Sequence, residues 1–432
     1  MTPAPGAPPA SGSALLRLAT IGSVDDGKST LIGRLLRDIK QLFDDQIEAV
    51  TTASRRLGTD GVDFALVTDG LRAEREQGVT IDVAYRYVST PTRKLVIADC
   101  PGHVQYTRNM ATGASTADLA LVVVDATVGL KEQTRRHTCI AALLGVGHLV
   151  VAANKMDLAD WDEETYRSVQ EAVRDLARRL CIDSVTVVPV SALLGDNVAE
   201  PSAHTPWYGG PTLLAALEEA PAGSWAQEGA GAARLPVQWV VRQPGGGRSY
   251  AGMVSGGTFR PGDEIVVLPG GRRSRLTSVA TFDGPLEEAG ASLSVTVRLD
   301  DDLDVSRGDL IAPAASPPEI VRDVEATLCW FADPPCEAGR RFRLKHTTRV
   351  TPAQIVSVDA RLEVAALAME PTTHLGPNDI GVVRLAVGTP LAVDPYRANR
   401  VTGSFVVIDE HTNATLAAGM VGSPILAALP RG

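Results

Sequence analysis

Between Leu15 and about Ala220 the hydrophobic positions follow two alternating rhythms: short apolar runs of strand length, and longer stretches where apolar residues recur every three or four positions. The runs Leu15 to Ile21, Lys94-Leu-Val-Ile-Ala-Asp99, His148 to Ala153 and Val185 to Val190 are largely apolar and short enough for buried strands. They predict the buried strands of a mostly parallel sheet, with amphipathic helices packed over it: an α/β domain spanning residues 14–220. Asp82 to Val88 alternates polar and apolar residues instead, the pattern of a half-exposed strand.

Beyond this domain the rhythm changes. Pro221 to Arg234, rich in Ala and Gly, reads as a linker. Short β runs with glycine turns follow at Val237 to Val241, Gly252 to Gly256, Glu264 to Leu268 and Ser292 to Leu299, predicting a small β-barrel over residues 235–315 that closes near Ile311. Pro317-Pro318 marks a second boundary. Val324 to Phe331, Arg341 to His346, Ala353 to Ala368, Val382 to Val387 and Gly403 to Ile408 then predict another barrel over residues 316–432. No internal repeat stands out. Residues 1–13 are mostly Pro, Ala, Gly and Ser, without the charged and apolar regions of a secretory signal, and are expected to be disordered.

The loops that follow the apolar runs carry the chemistry. Gly22-Ser23-Val24-Asp25-Asp26-Gly27-Lys28-Ser29, directly after the first run and followed by Thr30, fits G-x-x-x-x-G-K-S. A glycine-rich turn between strand and helix lets backbone N–H groups curl round phosphates, and the helix N-terminus adds its positive dipole end. Lys28 then reaches the outer phosphates, and the Ser29 hydroxyl can hold Mg²⁺. The run ending at Asp99 leads into Cys100-Pro101-Gly102-His103, a D-x-x-G element: the carboxylate can reach Mg²⁺ through water, and the Gly102 amide can sense a γ-phosphate. Asn154-Lys155-Met156-Asp157 fits N-K-x-D. The Asp157 carboxylate can accept two hydrogen bonds from guanine donors that adenine lacks, Lys155 would lie over the base, and Asn154 would tie this loop to the phosphate loop. Ser191-Ala192-Leu193 follows the last run at the position where GTP-binding proteins offer a backbone N–H to guanine O6.

Glu74-Arg-Glu-Gln-Gly-Val-Thr80-Ile81 lies between the first two elements. Thr80 is the candidate for a first switch, its hydroxyl turned onto Mg²⁺; a solvated charged loop before a strand fits the same composition. The cofactor implied by this ensemble is GTP with Mg²⁺, the metal held by Ser29, Thr80 and Asp99. Lys28, Thr80 and His103 form the candidate catalytic set, with His103 placed just after D-x-x-G to orient the attacking water. Arg34, Arg72, Arg75 and Arg108 lie near switch elements in sequence, and none is assignable as an arginine finger. For Asp25 a loop-stabilising hydrogen bond fits the residues, and the open alternative, a monovalent-cation contact, is implied only by a resemblance to translational GTPases.

These motifs and their wording together resemble the GTPase (large) subunit family of sulfate adenylyltransferase, or ATP sulfurylase, within the elongation-factor-Tu-like translational GTPases. The phosphate loop, the Thr80 segment, D-C-P-G-H and N-K-M-D-L carry the resemblance. Asp82-Val-Ala-Tyr-Arg-Tyr87 and Tyr106-Thr-Arg-Asn-Met-Ala-Thr-Gly-Ala-Ser115 point to the sulfurylase branch. A weaker likeness reaches Thr402-Gly-Ser-Phe-Val-Val-Ile-Asp409 and Thr412-Asn-Ala-Thr415, so it covers nearly the whole chain. The resemblance implies an elongation-factor-like architecture and a division of labour. A separate small catalytic subunit, in a heterodimer or higher assembly, would form adenosine 5′-phosphosulfate and pyrophosphate from ATP and sulfate. This chain would hydrolyse GTP and couple that energy to the reaction. The alternative is an elongation-factor-like GTPase that binds tRNA or the ribosome. With only one G-x-x-x-x-G-K-[ST] match, the chain is not expected to phosphorylate the product.

A formal net charge of −10 argues against broad nucleic-acid binding, and Arg272-Arg273-Ser274-Arg275, after Pro269-Gly270-Gly271, reads as a solvated hairpin end. Cys100, Cys139, Cys181, Cys329 and Cys336 include no C-x-x-C pair, so neither a disulfide framework nor a zinc site is suggested. Reduced thiols fit a cytoplasmic location. No apolar run approaches the roughly 20 residues that cross a bilayer.

Overall fold

A computed structural model describes residues 15–39, 80–182, 184–221, 231–242 and 247–422, in two compact units divided at Gly223. The expected tail, the acidic segment before Thr80, and Arg72 and Arg75 lie outside the described residues.

In the N-terminal unit, strands β1 (Leu16–Ile21), β2 (Ala84–Ser89), β3 (Lys94–Asp99), β4 (Leu119–Asp125), β5 (His148–Asn154) and β6 (Ser184–Pro189) form a sheet in the order β2-β3-β1-β4-β5-β6. All pairings are parallel except β2 with β3. Every residue of β4 is buried, as a strand covered on both faces requires, whereas the edge strand β2 alternates and exposes Tyr85 and Tyr87. Described helices are α1 (Lys28–Asp38), α2 (Thr107–Ala114), α3 (Glu132–Leu143), α4 (Glu163–Arg179) and α5 (Leu213–Glu219), and a 3₁₀ turn at Val104–Tyr106 precedes α2. Leu18, Leu31, Leu35, Ile97, Leu121, Val150 and Leu217 share one core.

Helix ends show how function departs from local optimisation. Helix α4 is capped by Asp162, whose side chain accepts the Thr165 N–H, and carries Glu163 and Glu164 in its first turn and Arg178 and Arg179 in its last, matching the helix dipole. Helix α1 starts from Gly27 in the left-handed region and has no side-chain cap. Its first N–H groups are left to an external acceptor. Because β1 lies between β3 and β4, register brings Asp99 beside Thr20 and Asp125 beside Asn154, so the strand ends that carry the motif loops converge on one edge.

The C-terminal unit is antiparallel β. Strands 235–236, 310–313, 264–268, 272–281, 294–299, 248–253 and 239–242 pair in that order. This sheet curls until a Cβ on Gly252 would fall 2.4 Å from the Pro236 carbonyl oxygen. A second sheet runs through strands 341–346, 404–408, 415–421, 319–330, 380–393 and 349–363, and closes into a six-stranded barrel where Arg341–His346 pairs with Arg349–Glu363. Trp330, Phe342, Leu344, Leu385 and Phe405 fill it. The architecture is the expected one: a mostly parallel α/β domain followed by two barrels.

Several boundaries differ from expectation. Of the run 237–241 only residues 239–241 lie in a strand, and 353–368 is a strand, a turn and the start of a second strand, because a long run can turn a corner without losing its apolar side chains. Arg272 to Arg275 opens the ten-residue strand Arg272–Thr281 rather than merely ending a hairpin. The linker expected to reach Arg234 ends earlier. Arg234 is buried, makes two 2.9 Å contacts with the Asp394 carboxylate, and donates to the Ser316 carbonyl, joining the first barrel to the second. Its fork needs a planar partner that lies 160 residues away in sequence.

Candidate nucleotide site

The four motif loops interlock at the edge where β1, β3, β5 and β6 end. Gly22 and Gly27 adopt positive φ of 152° and 90°, and a Cβ on either would lie 2.5 Å from the Val123 carbonyl oxygen or 2.4 Å from Asn154 Nδ2. Glycine is therefore required twice, for backbone conformation and for space. Gly102, from D-x-x-G, lies against the phosphate loop so closely that its Cβ would fall 2.4 Å from Lys28 Nζ and 3.0 Å from the Gly22 carbonyl oxygen.

Lys28 points back across its own loop, donating to Ser23 O at 2.7 Å and Gly22 O at 3.3 Å. Burial depresses its ammonium below the ordinary value, and the negative charges of Asp99 and Asp26 oppose that shift. Ser29 and Thr30 occupy the first turn of α1, half-buried. Asp99 ends β3 at 1% exposure, with Cys100 and Pro101 buried behind it. Val24 is half-buried, and Asp25 is exposed with φ 67°.

Asn154 joins the loops. Its Nδ2 donates to the Asp26 carbonyl at 2.9 Å, and its Oδ1 accepts the Ala192 N–H at 2.9 Å. The Ala192 amide of Ser191-Ala192-Leu193 is thus engaged by Asn154, while Ser191 Oγ accepts the Leu194 N–H at 3.1 Å. Met156 is fully buried and Asp157 half-buried; Leu193 is exposed. Lys155, at φ 64°, pairs with Asp125 at 2.8 Å. Burial pushes the Asp125 carboxyl up, but Lys155 and Thr127 outweigh it and hold it below its ordinary value.

His103 caps the 3₁₀ turn, its Nδ1 accepting the Gln105 N–H at 3.2 Å, and its ring lies 5.9 Å from that of Tyr106. With Nδ1 an acceptor, the neutral ring carries its proton on Nε2. Thr80 is half-buried at the entry to β2, and the carbonyl of its neighbour Ile81 accepts from Asn109 of α2 at 2.9 Å. The residues suit the implied groups. Uncapped N–H groups and a buried ammonium fit phosphates, and the Ser29, Thr80 and Asp99 oxygens are hard donors of the kind Mg²⁺ takes.

Motif reading passes over the side chains that brace this site from outside. Arg34 makes two contacts with Asp38 and donates to the Leu193 carbonyl at 3.3 Å, holding the base loop to α1. A Cβ on Gly195 would overlap its guanidinium. Thr134, His137 and Lys131 reach the phosphate loop from α3 and the residue before it. Only Asp125 leaves a signal in the sequence: it ends an apolar run as Asp99 does.

The family Elongation factor Tu GTP binding domain matches residues 13–222, and GTP-eEF1A C-terminal domain-like matches residues 323–422. The chain is 52% identical over 422 residues to the bifunctional enzyme CysN/CysC of Mycobacterium tuberculosis H37Rv, covering 96% of this chain and 68% of that one. To sulfate adenylyltransferase subunit 1 of Laribacter hongkongensis it is 47% identical over 412 residues, covering 95% and 85%. The corresponding protein of Alteromonas mediterranea is 47% identical over 409 residues, covering 94% and 86%.

Proposed function

The chain belongs to the sulfate adenylyltransferase subunit 1 family, and from that premise we propose that it is the GTP-hydrolysing subunit of sulfate adenylyltransferase. It would couple GTP hydrolysis to the formation of adenosine 5′-phosphosulfate from ATP and sulfate by a separate small subunit. The observation that carries the nucleotide half of this reading is the pair of hydrogen bonds made by the Asn154 side chain, which ties the base-selecting loops to the phosphate loop by donating to the Asp26 carbonyl and accepting the Ala192 N–H, each at 2.9 Å.

In this reading the triphosphate lies over Gly22 to Thr30, with the first amides of α1 and Lys28 facing its oxygens. Lys28 exchanges its bonds to Ser23 O and Gly22 O for the outer phosphates, cancelling charge as it develops. Asp157 selects guanine by accepting from its N–H donors. Gly102 lies close enough to Lys28 for the D-x-x-G loop to respond to the γ-phosphate. His103 orients the attacking water as a donor through Nε2, since its Nδ1 is held by Gln105. Mg²⁺ supplies further positive charge at the phosphates when bound, and Ser29, Thr80 and Asp99 would hold it.

The barrels would carry the switch state to the small subunit, and a cytoplasmic location suits five free cysteines, four of them buried. Among the described residues no helix is long and apolar enough to cross a membrane. Fluorescent GDP and ADP analogues, titrated against the chain alone, test the first half. Tight binding of GDP with at least about a hundredfold preference over ADP is expected from a carboxylate that reads the base edge. Equal affinities would remove the guanine assignment.

A further inference from the structure

The phosphate loop contains a carboxylate that the motifs leave unexplained. Asp26 is fully buried within it. Its Oδ2 accepts the Ser23 N–H at 2.9 Å and lies 3.4 Å from the Thr134 hydroxyl, which itself is 2.9 Å from Ser23 Oγ. The side chain therefore braces the loop and fastens it to α3. It also brings a negative charge next to Lys28, where anionic phosphates are to be bound. In a dry site that charge would oppose the ligand.

Lys131 answers it. This residue precedes α3, belongs to none of the four motifs, and places Nζ 2.6 Å from Asp26 Oδ1. The lysine side chain is 30% exposed and the aspartate 1%, so the cation reaches inward from the surface to a buried anion. We propose that Lys131 is a positioning residue for nucleotide binding: by neutralising Asp26 it lets that carboxylate brace the phosphate loop without repelling the phosphates. The inference rests on the reading that the nucleotide occupies this loop. Without Lys131 the buried carboxylate loses its ion-pair partner, and Lys28, which already feels its charge, would be drawn away from the ligand.

The test is the affinity of the full-length chain for a fluorescent GDP analogue, measured for the wild type, Lys131→Met, Lys131→Arg, Asp26→Asn and the double variant Asp26→Asn with Lys131→Met. Lys131→Met is expected to weaken GDP binding by at least about tenfold, because a close charge pair is broken from one side. Lys131→Arg should stay near wild type, since it keeps the charge. The double variant should bind more tightly than Lys131→Met alone, because neutralising Asp26 removes the repulsion that the lysine had masked. A simple packing role for the lysine would show no such rescue. Lys131→Gln, uncharged but polar, reads the same quantity should Lys131→Met fold poorly. Binding by Lys131→Met within twofold of wild type, or a double variant no better than the single, overturns the proposal. A wild type that fails to bind GDP would instead overturn the nucleotide-site reading beneath it.

Discussion

Replacing Gly102 by alanine places a methyl group against the phosphate loop. The added carbon would lie 2.4 Å from Lys28 Nζ, 2.9 Å from the Ser23 carbonyl carbon and 3.0 Å from the Gly22 carbonyl oxygen. Carbon contacts are comfortable at about 3.5–4.0 Å. A free lysine tip could swing aside, but this one is buried and held by two carbonyls, and the other two neighbours are backbone. Gly102 is not among the glycines at positive φ, so the perturbation is steric alone. Relief requires the Cys100 to His103 loop to retreat by roughly 0.5–1 Å, and overpacking of this kind costs about 1–3 kcal/mol. A displacement near 1 Å between reacting groups lowers a rate by about a hundredfold. Because GDP lacks the phosphate that Gly102 would sense, its affinity should fall by less than about tenfold, the lower part of that range. Single-turnover GTP hydrolysis should slow by on the order of a hundredfold. The assay is rapid-quench hydrolysis beside GDP titration on the same preparation. Hydrolysis within about threefold of wild type, well inside the effect of a 1 Å displacement, would refute the contact as a constraint on catalysis.

Four further outcomes are expected. Asp157→Asn should shift base preference from GTP toward xanthosine triphosphate, because the amide donates where the carboxylate only accepts; a competition titration showing unchanged GTP affinity removes the assignment. His103→Ala should leave GDP binding near normal and slow hydrolysis by about a hundredfold or more, and an unaffected rate takes it out of the mechanism. Burial, with the Lys28 charge next, holds His137 neutral down to about 3, against 6.5 in an unfolded chain. The unfolded state alone takes up that proton as pH falls below about 6.5, so stability should drop with acidification by up to about 1.4 kcal/mol per pH unit until about pH 3. Urea unfolding at pH 7 and pH 5 should show this, and His137→Gln should flatten the slope. Arg234→Met strands Asp394 in the C-terminal unit and should cost about 3–5 kcal/mol, read as an early melting transition; a loss below about 1 kcal/mol would show the pair to be a surface-like contact.

Much of the fold is legible because its information is local. The run Lys94–Asp99 is the whole of β3, and Arg341–His346 and Glu264–Leu268 are whole strands, since apolar runs and alternation report burial directly. The motif loops fall at the ends of those runs, so their convergence follows once the strands are parallel. The side chains that brace the loops are a different case. Lys131 meets Asp26 across 105 positions and Arg34 meets Leu193 across 159, and a single charged residue in or beside a helix looks the same in sequence whether it faces solvent or a buried partner. Arg234 illustrates the same limit at a domain boundary: an Ala- and Gly-rich stretch conceals a buried residue that helps join the two barrels.

Coupling is tested most directly by following GTP hydrolysis and adenosine 5′-phosphosulfate formation in one reaction, with this chain and a small subunit of the same enzyme, with and without sulfate. GTP turnover should rise when ATP and sulfate are both present, and product should exceed the level reached without GTP. GTP turnover that ignores ATP and sulfate, with product no higher than the GTP-free level, would contradict a role in driving sulfate activation.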